Sequence, residues 1–151
     1  MSLQSRNNIT PALARRARAI ADRRPILEAM GTELVSISKR NFTDATLRPS
    51  IWAPLKPATI AAKKGKGGIL RGPNAVLQRS IRITSVTNSE VVAGTDRPYA
   101  AIHQLGGRAG RGGAAIIPPR PYFPIINNKL TPEARRRINR VGQLKIASLT
   151  K

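Results

Sequence analysis

The carboxylates of this chain are few and far apart, and this limits the chemistry that it could perform. The acidic residues stand singly along the sequence: Asp22, Glu28, Glu33, Asp44, Glu90, Asp96 and Glu133. None of their spacings suggests an acid/base pair or a two-metal site. Cysteine is absent and there is a single histidine, so thiolate and histidine-rich metal sites are excluded. The sequence therefore predicts no catalytic residue, no metal site and no cofactor.

His103 is the one side chain that ordinarily titrates near neutral pH, and it lies in the apolar segment YAAIHQLG. We interpret it as a core or interface histidine satisfied by hydrogen bonds. The glycine-rich segments GKGG and GGRAGRGG resemble phosphate-binding loops in glycine content alone, because neither has a following Lys-Ser or Lys-Thr or a preceding strand. Flexibility combined with positive charge suits them instead to contact a phosphate backbone or an acidic neighbour.

Trp52 lies among prolines in the segment SIWAPLKPAT. Because tryptophan is costly to leave in water, we expect Trp52 and Leu55 to be buried and to pin the surrounding loop onto the body. Stacking of Trp52 on a nucleic acid base is the alternative, but no second aromatic residue lies close by in sequence to continue a stacking platform.

The chain is strongly basic, with 27 Lys and Arg against 7 Asp and Glu and a formal net charge of +20. Such a protein is attracted to polyanions or to acidic protein surfaces. The basic residues are spread among apolar ones over 15–24, 63–82, 97–120 and 135–145, unlike the concentrated run of a DNA-binding tail. No apolar run of about 18 residues is present, so we expect a soluble protein made in the cytoplasm.

The elements that must position these residues begin with helices. An Ala- and Arg-rich stretch predicts a short helix over 11–21. Pro25 can occupy the first turn of a second helix, which runs from about residue 24 to about 41. Its apolar seam has three- and four-residue spacing: Leu27, Met30, Leu34 and Ile37. Prolines and glycines over 44–75 predict a long loop with at most one helical turn, between 57 and 65.

The second half of the chain predicts a hairpin, an arm and a last helix. Alternation from Leu77 predicts a strand that pairs with 90–95 across a turn. Residues 99–106 could form one helical turn or an extended run, and we favour a short helix that ends at Gly106. We expect a loop over 106–113 and an edge strand or extended arm over 116–121. Thr131 can cap a helix that runs to about residue 147. Three residues of this helix are predicted to face inward: Ile138, Val141 and Leu144.

The predicted fold class is therefore α+β, with N-terminal helices, a small antiparallel sheet with long loops, and a C-terminal helix. A single domain over residues 1–151 is expected, with flexible basic loops near 63–72 and 106–113. We expect Tyr99, His103, Gln104 and Arg120 to form one polar cluster, because the prolines at 118, 119 and 121 deprive the arm of ladder donors. The alternative is that Arg120 is a solvated surface charge.

The order of motifs resembles the phage virion morphogenesis family. One part of the resemblance is Phe42 at a helix end, followed by the segments WAPL at 52–55 and PAT at 57–59. The segments IL at 69–70 and LQRSI at 77–81 come next. Its most specific part is the order GT at 94–95, YAAIHQLGG at 99–107 and IPPRPYF at 117–123. The resemblance covers residues 25–145.

This resemblance implies a non-enzymatic phage structural protein that acts in tail completion or head–tail joining, as a multi-copy ring. Its implied partners are further copies of itself and other head-neck or tail proteins, in a virion assembled in the host cytoplasm, with non-specific DNA contact and no membrane. A free-standing nucleic-acid-binding protein is the alternative function. The residues that we expect to be structural or to lie at interfaces are Trp52, Leu55, Thr59, Tyr99, His103, Gln104, Gly106, Gly107, Arg120 and Pro121.

Overall fold

The protein is described by a computed structural model that covers residues 9–64 and 66–150. Residues 1–8 and 151, which belong to the predicted single domain, and Gly65, in the predicted loop 63–72, lie outside the described residues. Two long helices come first, α1 (Ile9–Ala21) and α2 (Arg24–Arg40). The last element is α6 (Pro132–Leu149). The predicted α+β class is confirmed.

The central packing of the fold joins α2 to α6. Met30, Leu34 and Ile37 of the predicted seam pack with Ala134 and Ile138 of α6. The start of α6 is specified locally, since the Thr131 hydroxyl accepts the backbone N–H of residue 134 and a proline follows directly. The predicted extents of both helices are therefore confirmed.

Leu144 does not face inward as predicted, because its side chain is 61% exposed. The buried face of α6 is set by Ala134, Ile138 and Gly142, which follow one another at four-residue spacing. Two residues beyond Gly142 a helix has turned by about 200°, so Leu144 points away from α2. Val141 is half-buried.

The segment between α2 and the sheet is more ordered than its prolines and glycines predict. Asp44 accepts hydrogen bonds from the backbone N–H and hydroxyl of Thr46 at the start of a 3-10 turn over Ala45–Leu47. An extended stretch then leads to α3 (Pro57–Lys63), which is about two turns long rather than the one expected. The Lys63 ammonium closes the next loop by donating to the carbonyls of Gly68 and Arg71, each at 2.7 Å.

The strand predicted from Leu77 begins later. Residues Val76–Ser80 form a short helix, α4, and the strand β1 covers Arg82–Val86. Leu77 and Ile81 are four residues apart, so a helical turn places both in the core, where they are 3% and 0% exposed. The return strand β2 (Val91–Gly94) pairs antiparallel with β1 as predicted, and the hairpin packs on α2.

The remaining elements surround the arm. Helix α5 (Ala100–Leu105) ends at Gly106, as predicted. The prediction of a loop over 106–113 is wrong in part, because β3 (Gly107–Ala109) pairs with β4 (Ala115–Ile117) around a 3-10 turn at Arg111–Gly113. Positive φ angles at Gly110, just before this turn, and at Gly112 and Gly113 within it allow the chain to reverse there. A last small hairpin joins β5 (Ile125–Ile126) to β6 (Lys129–Leu130).

Candidate functional site

The arm at 117–123 is tied to the extended segment at 52–54 by side chains. Trp52 is 4% exposed, and its indole Nε1 donates to the carbonyl of Pro121 at 3.0 Å. Arg120 returns the connection, because its Nε and Nη2 donate to the carbonyls of Ala53 and Pro54 at 3.0 and 3.1 Å. These two side chains fix two segments that prolines prevent from pairing as strands.

A second tie joins the arm to α5. The Gln104 amide oxygen accepts the backbone N–H groups of Tyr122 and Phe123, each at 3.0 Å, and its Nε2 donates to the Phe123 carbonyl at 3.3 Å. The backbone N–H of Arg120 donates to the His103 carbonyl at 2.8 Å. Gln104 thus takes the place of a strand partner for the arm.

Tyr122 anchors the end of the arm in the core. Its ring is 2% exposed and lies 5.3 Å from the ring of Phe42, centroid to centroid. Its hydroxyl donates to the Ala100 carbonyl at 3.2 Å, and burial raises the pKa of Tyr122 to about 12. The hydroxyl therefore stays protonated at neutral pH and remains a donor.

The predicted cluster of Tyr99, His103, Gln104 and Arg120 is corrected in its partners. The structure brings these residues to the same region, but Arg120 donates to the carbonyls of residues 53 and 54 rather than to the other three side chains. Tyr99 is 41% exposed and meets His103 edge to face at 5.9 Å. Arg120 bonds to the segment at 52–54 because the carbonyls of this extended segment are not paired with a neighbouring strand. The alternative of a solvated Arg120 is wrong, because the residue is 8% exposed.

Gly106 is required by a close approach of two backbones. Its φ is +75°, and a Cβ there would lie 2.9 Å from both the nitrogen and Cδ of Pro119. Any larger residue would push the end of α5 away from the arm. Gly107, with a φ of +149°, begins β3 directly afterwards.

A cavity of about 550 Å³ opens on the outer side of this junction. Three residues predicted for the site lie in its wall and join neither tie: Leu55, Thr59 and Tyr99. His103 lines the wall with its side chain and joins the second tie only through its backbone carbonyl. Leu55 is half-buried rather than buried as expected. The Arg120 side chain lines the same cavity. The predicted site residues therefore divide into a group that holds the arm and a group that forms a concave surface.

The electrostatics of this cavity are set by cations. Burial lowers the pKa of Arg120, and burial together with the Arg120 charge lowers the pKa of His103. His103 is therefore neutral at pH 7, and its Nδ1 has no hydrogen-bond partner among the described residues. Lys56 and Lys63 add positive charge, and none of the described lining residues is acidic.

Two residues that support the site were not predicted from the sequence. The buried Asn41 donates from Nδ2 to the Tyr122 carbonyl at 2.8 Å. The Arg48 guanidinium lies 4.0 Å from the centre of the Trp52 ring, and its Nε donates to the Asn41 carbonyl at 2.9 Å. The four-residue spacing from Arg48 to Trp52 is a weak signal for this stacking, and nothing in the sequence indicates the partner of Asn41.

A basic surface lies elsewhere, on two helices that contact each other. Exposed arginines on α1 include Arg15, Arg16 and Arg18, and those on α6 include Arg135 and Arg140. On the inner side of α6 Arg137 forms a 2.7 Å ion pair with Glu33. Within the described ranges there is no cluster of metal-ligating side chains, and no helix there is long and apolar enough to cross a membrane.

The arm is held by contacts between side chains and backbone groups, which is a structural arrangement. The chain belongs to the phage virion morphogenesis family, which it matches over residues 4–143. It is 33% identical over 127 residues to the Mu-like prophage FluMu G protein 2 of Haemophilus influenzae, a match that covers 82% of this chain and 81% of that protein. No solved structure matched the chain. The predicted family resemblance is confirmed.

Proposed function

We propose that this protein is a structural component of a phage virion that acts in tail completion or head–tail joining, as a ring of several copies. The proposal rests mainly on one observation: the residues by which the chain resembles its family have structural roles in the subunit. Trp52, Gln104 and Arg120 donate to or accept from backbone groups, so they shape the subunit rather than present a reactive group.

Exposed apolar side chains support association into a multi-copy assembly. Ile51 is 99% exposed, Leu105 74%, Ile116 67% and Leu144 61%. Large apolar side chains that face solvent in the separate subunit are stabilised when a partner covers them. These residues are spread over several elements, and apolar side chains on more than one element support a contact between unlike surfaces of neighbouring copies.

The charge indicates what else the assembly must contain. Copies that each carry a charge of +20 repel one another, so a ring of them needs negative charge nearby. Acidic surfaces of neighbouring head-neck or tail proteins would supply it, and DNA passing through a junction would do the same. Membership of the phage virion morphogenesis family supports a place in the virion, and we propose that assembly occurs in the cytoplasm of the bacterial host.

Deletion of the gene from the phage or prophage that carries it tests this proposal. We expect induced cells to yield heads and tails that are unjoined or tails that are unfinished when viewed by negative-stain electron microscopy. Expression of the intact chain from a plasmid should restore normal particles, which controls for effects on neighbouring genes. Normal, joined and infectious particles from the deletion strain would reject the proposal.

Free-standing nucleic-acid binding is the second candidate, and the arginines of the contacting helices α1 and α6 favour it. Binding that is only electrostatic weakens steeply as salt rises, since each neutralised phosphate releases a counterion. A titration of duplex DNA at increasing salt separates the candidates. A sequence preference that survives moderate salt would support a nucleic-acid-binding function, and complete loss of binding would favour the structural one.

A further inference from the structure

We propose that the cavity between α3, α5 and β4 binds a short peptide segment of another virion protein that combines apolar side chains with a carboxylate. The carboxylate would pair with Arg120. This inference rests on the proposed function, because it names the kind of partner that the assembled protein contacts.

Arg120 is the first reason. The residue is 8% exposed, and no carboxylate pairs with it in the part of the chain that the structure describes. Its hydrogen bonds to the carbonyls of residues 53 and 54 use Nε and Nη2, which leaves N–H groups of the guanidinium for a further acceptor. A buried cation is stabilised by an opposite charge, and the planar guanidinium suits a carboxylate.

The apolar part of the wall is the second reason. Leu55, Leu70, Val76 and Ile116 contribute to it, and the last two are 44% and 67% exposed. An apolar side chain of an incoming segment would remove them from water and gain the free energy of that burial. The wall thus offers apolar contact close to a buried positive charge, which suits a peptide more than a phosphate backbone.

Charge complementarity decides between a second copy and a different protein. The described polar lining includes Lys56, Lys63 and Arg120 and no acidic residue. This chain has 27 basic and 7 acidic residues, so a segment of a second copy would more often bring like charge. An acidic segment would be attracted by the positive charges that line the cavity, whereas a basic segment would be repelled by them.

The substitution Ile116→Glu tests the site without altering the arm. It places a carboxylate at the cavity wall, where it can pair with Arg120 in place of the partner. We expect a folded protein whose melting temperature is not below that of the parent, and a fall in particle yield of at least about tenfold. The matched control is Val92→Glu on β2, since Val92 is 43% exposed and does not line this cavity.

Identification of the occupant completes the test. A photo-cross-linking benzoylphenylalanine placed at Tyr99, which lines the cavity and is partly exposed, is irradiated in complete particles. We expect mass spectrometry to map the cross-link to a segment of another virion protein that contains Asp or Glu within a few residues. A cross-link to a second copy of this chain, or no cross-link above that of the same probe at Val92, would overturn the proposal.

The two proposals fail separately. Defective particles from the deletion strain together with full yield from Ile116→Glu would reject the cavity as a docking site and leave the structural function standing. Normal particles from the deletion strain would reject the structural function itself.

Discussion

In the proline-rich arm, side chains form the hydrogen bonds that a neighbouring strand would form in a sheet. Trp52, Gln104 and Arg120 each bond to backbone groups that no neighbouring strand pairs with, and the bond from Trp52 to the Pro121 carbonyl is buried. An unpaired buried polar group costs about 1 to 3 kcal/mol, so these contacts decide whether the arm stays in place.

Replacement of Arg120 by lysine should therefore destabilise the protein although it keeps the charge. Lysine cannot supply two parallel donors to the carbonyls of Ala53 and Pro54, and we expect a loss of about 1 to 3 kcal/mol in the free energy of unfolding. Urea denaturation of Arg120→Lys provides the measurement, with the exposed Arg108→Lys as control. Equal stability of both variants and the parent would show that the two parallel hydrogen bonds from the Arg120 guanidinium are not needed.

His103 should make stability depend on pH in a mildly acidic range. Burial, and to a smaller extent the charge of Arg120, lower the pKa of His103 below its ordinary value of 6.5. The unfolded chain binds a proton near that value while the folded chain does not. The stability contributed by neutral His103 is therefore fully present above pH 6.5 and falls as the pH drops from 6.5 towards the lower pKa of the folded state.

Unfolding midpoints between about pH 7.5 and about pH 5 measure this effect above the range in which carboxylates titrate. We expect the decline to be smaller in His103→Gln, which does not titrate. An identical pH dependence in the variant and the parent would place the responsible group elsewhere.

At the residue scale, burial was easier to predict than partnership. Trp52 is buried as expected, because a large apolar side chain is costly to leave in water. The acceptors of Arg120 were not predictable, because the carbonyls of residues 53 and 54 look like any others in a sequence. The prediction did not include the carbonyls of the segment at 52–54, which are the acceptors in the structure.

At the scale of elements, α2 is the scaffold on which the rest is arranged. One face packs on α6, and Gly31 on another face receives the β1–β2 hairpin. A Cβ at Gly31 would lie 2.5 Å from Cγ2 of Val91 and 3.1 Å from Cδ1 of Ile83. The absence of a side chain at this position lets the hairpin approach the helix.

Gly31→Ala should consequently destabilise the protein, although alanine favours helices by about 1 kcal/mol over glycine. Overpacking costs about 1 to 3 kcal/mol, and the stiff Val91 side chain has little freedom to move aside. In a Val91→Ala background the same change should become stabilising. Thermal unfolding of the four proteins of this cycle measures the reversal of sign, and stabilisation by Gly31→Ala alone would contradict the close contact.

Elements with local start and stop signals were predictable from the sequence, and those decided by packing were not. Thr131 and Pro132 specify the start of α6, and Gly106 specifies the end of α5. Val76–Ser80 could satisfy either strand alternation or a helical turn, and the burial of Leu77 with Ile81 selected the helix. The β3–β4 hairpin was missed because its glycines indicate a turn without indicating that the flanking residues pair.

The two basic loops predicted at 63–72 and 106–113 connect this scale to the assembly. We expect the amides of 66–72 and of the turn at 110–113 to exchange quickly with solvent in the isolated subunit and slowly in complete particles, because both segments combine glycine with positive charge. Hydrogen exchange followed by mass spectrometry makes the comparison, with the buried amides of α2 as the slow reference. Strong protection of both loops in a verified monomer would contradict this prediction.

For the whole molecule, exposed apolar side chains and a high positive charge support the proposal that partners complete the subunit. Apolar side chains such as Ile51 and Leu105 face solvent, and a charge of +20 is left largely without acidic partners. Composition predicts attraction to polyanions or to acidic protein neighbours, without choosing between them. The surfaces on which those neighbours lie depend on how distant segments meet, and no local pattern reports that.

Cryo-electron microscopy of the tail ends and necks of purified particles tests the proposed role most directly. We expect several symmetry-related copies of the α2–α6 framework to fit density at one end of the tail or at the head–tail junction. Acidic segments of neighbouring proteins should contact the cavity lined by Arg120. Complete particles whose density at these places is fully accounted for by other proteins would contradict the assignment of this chain as a structural component of the virion.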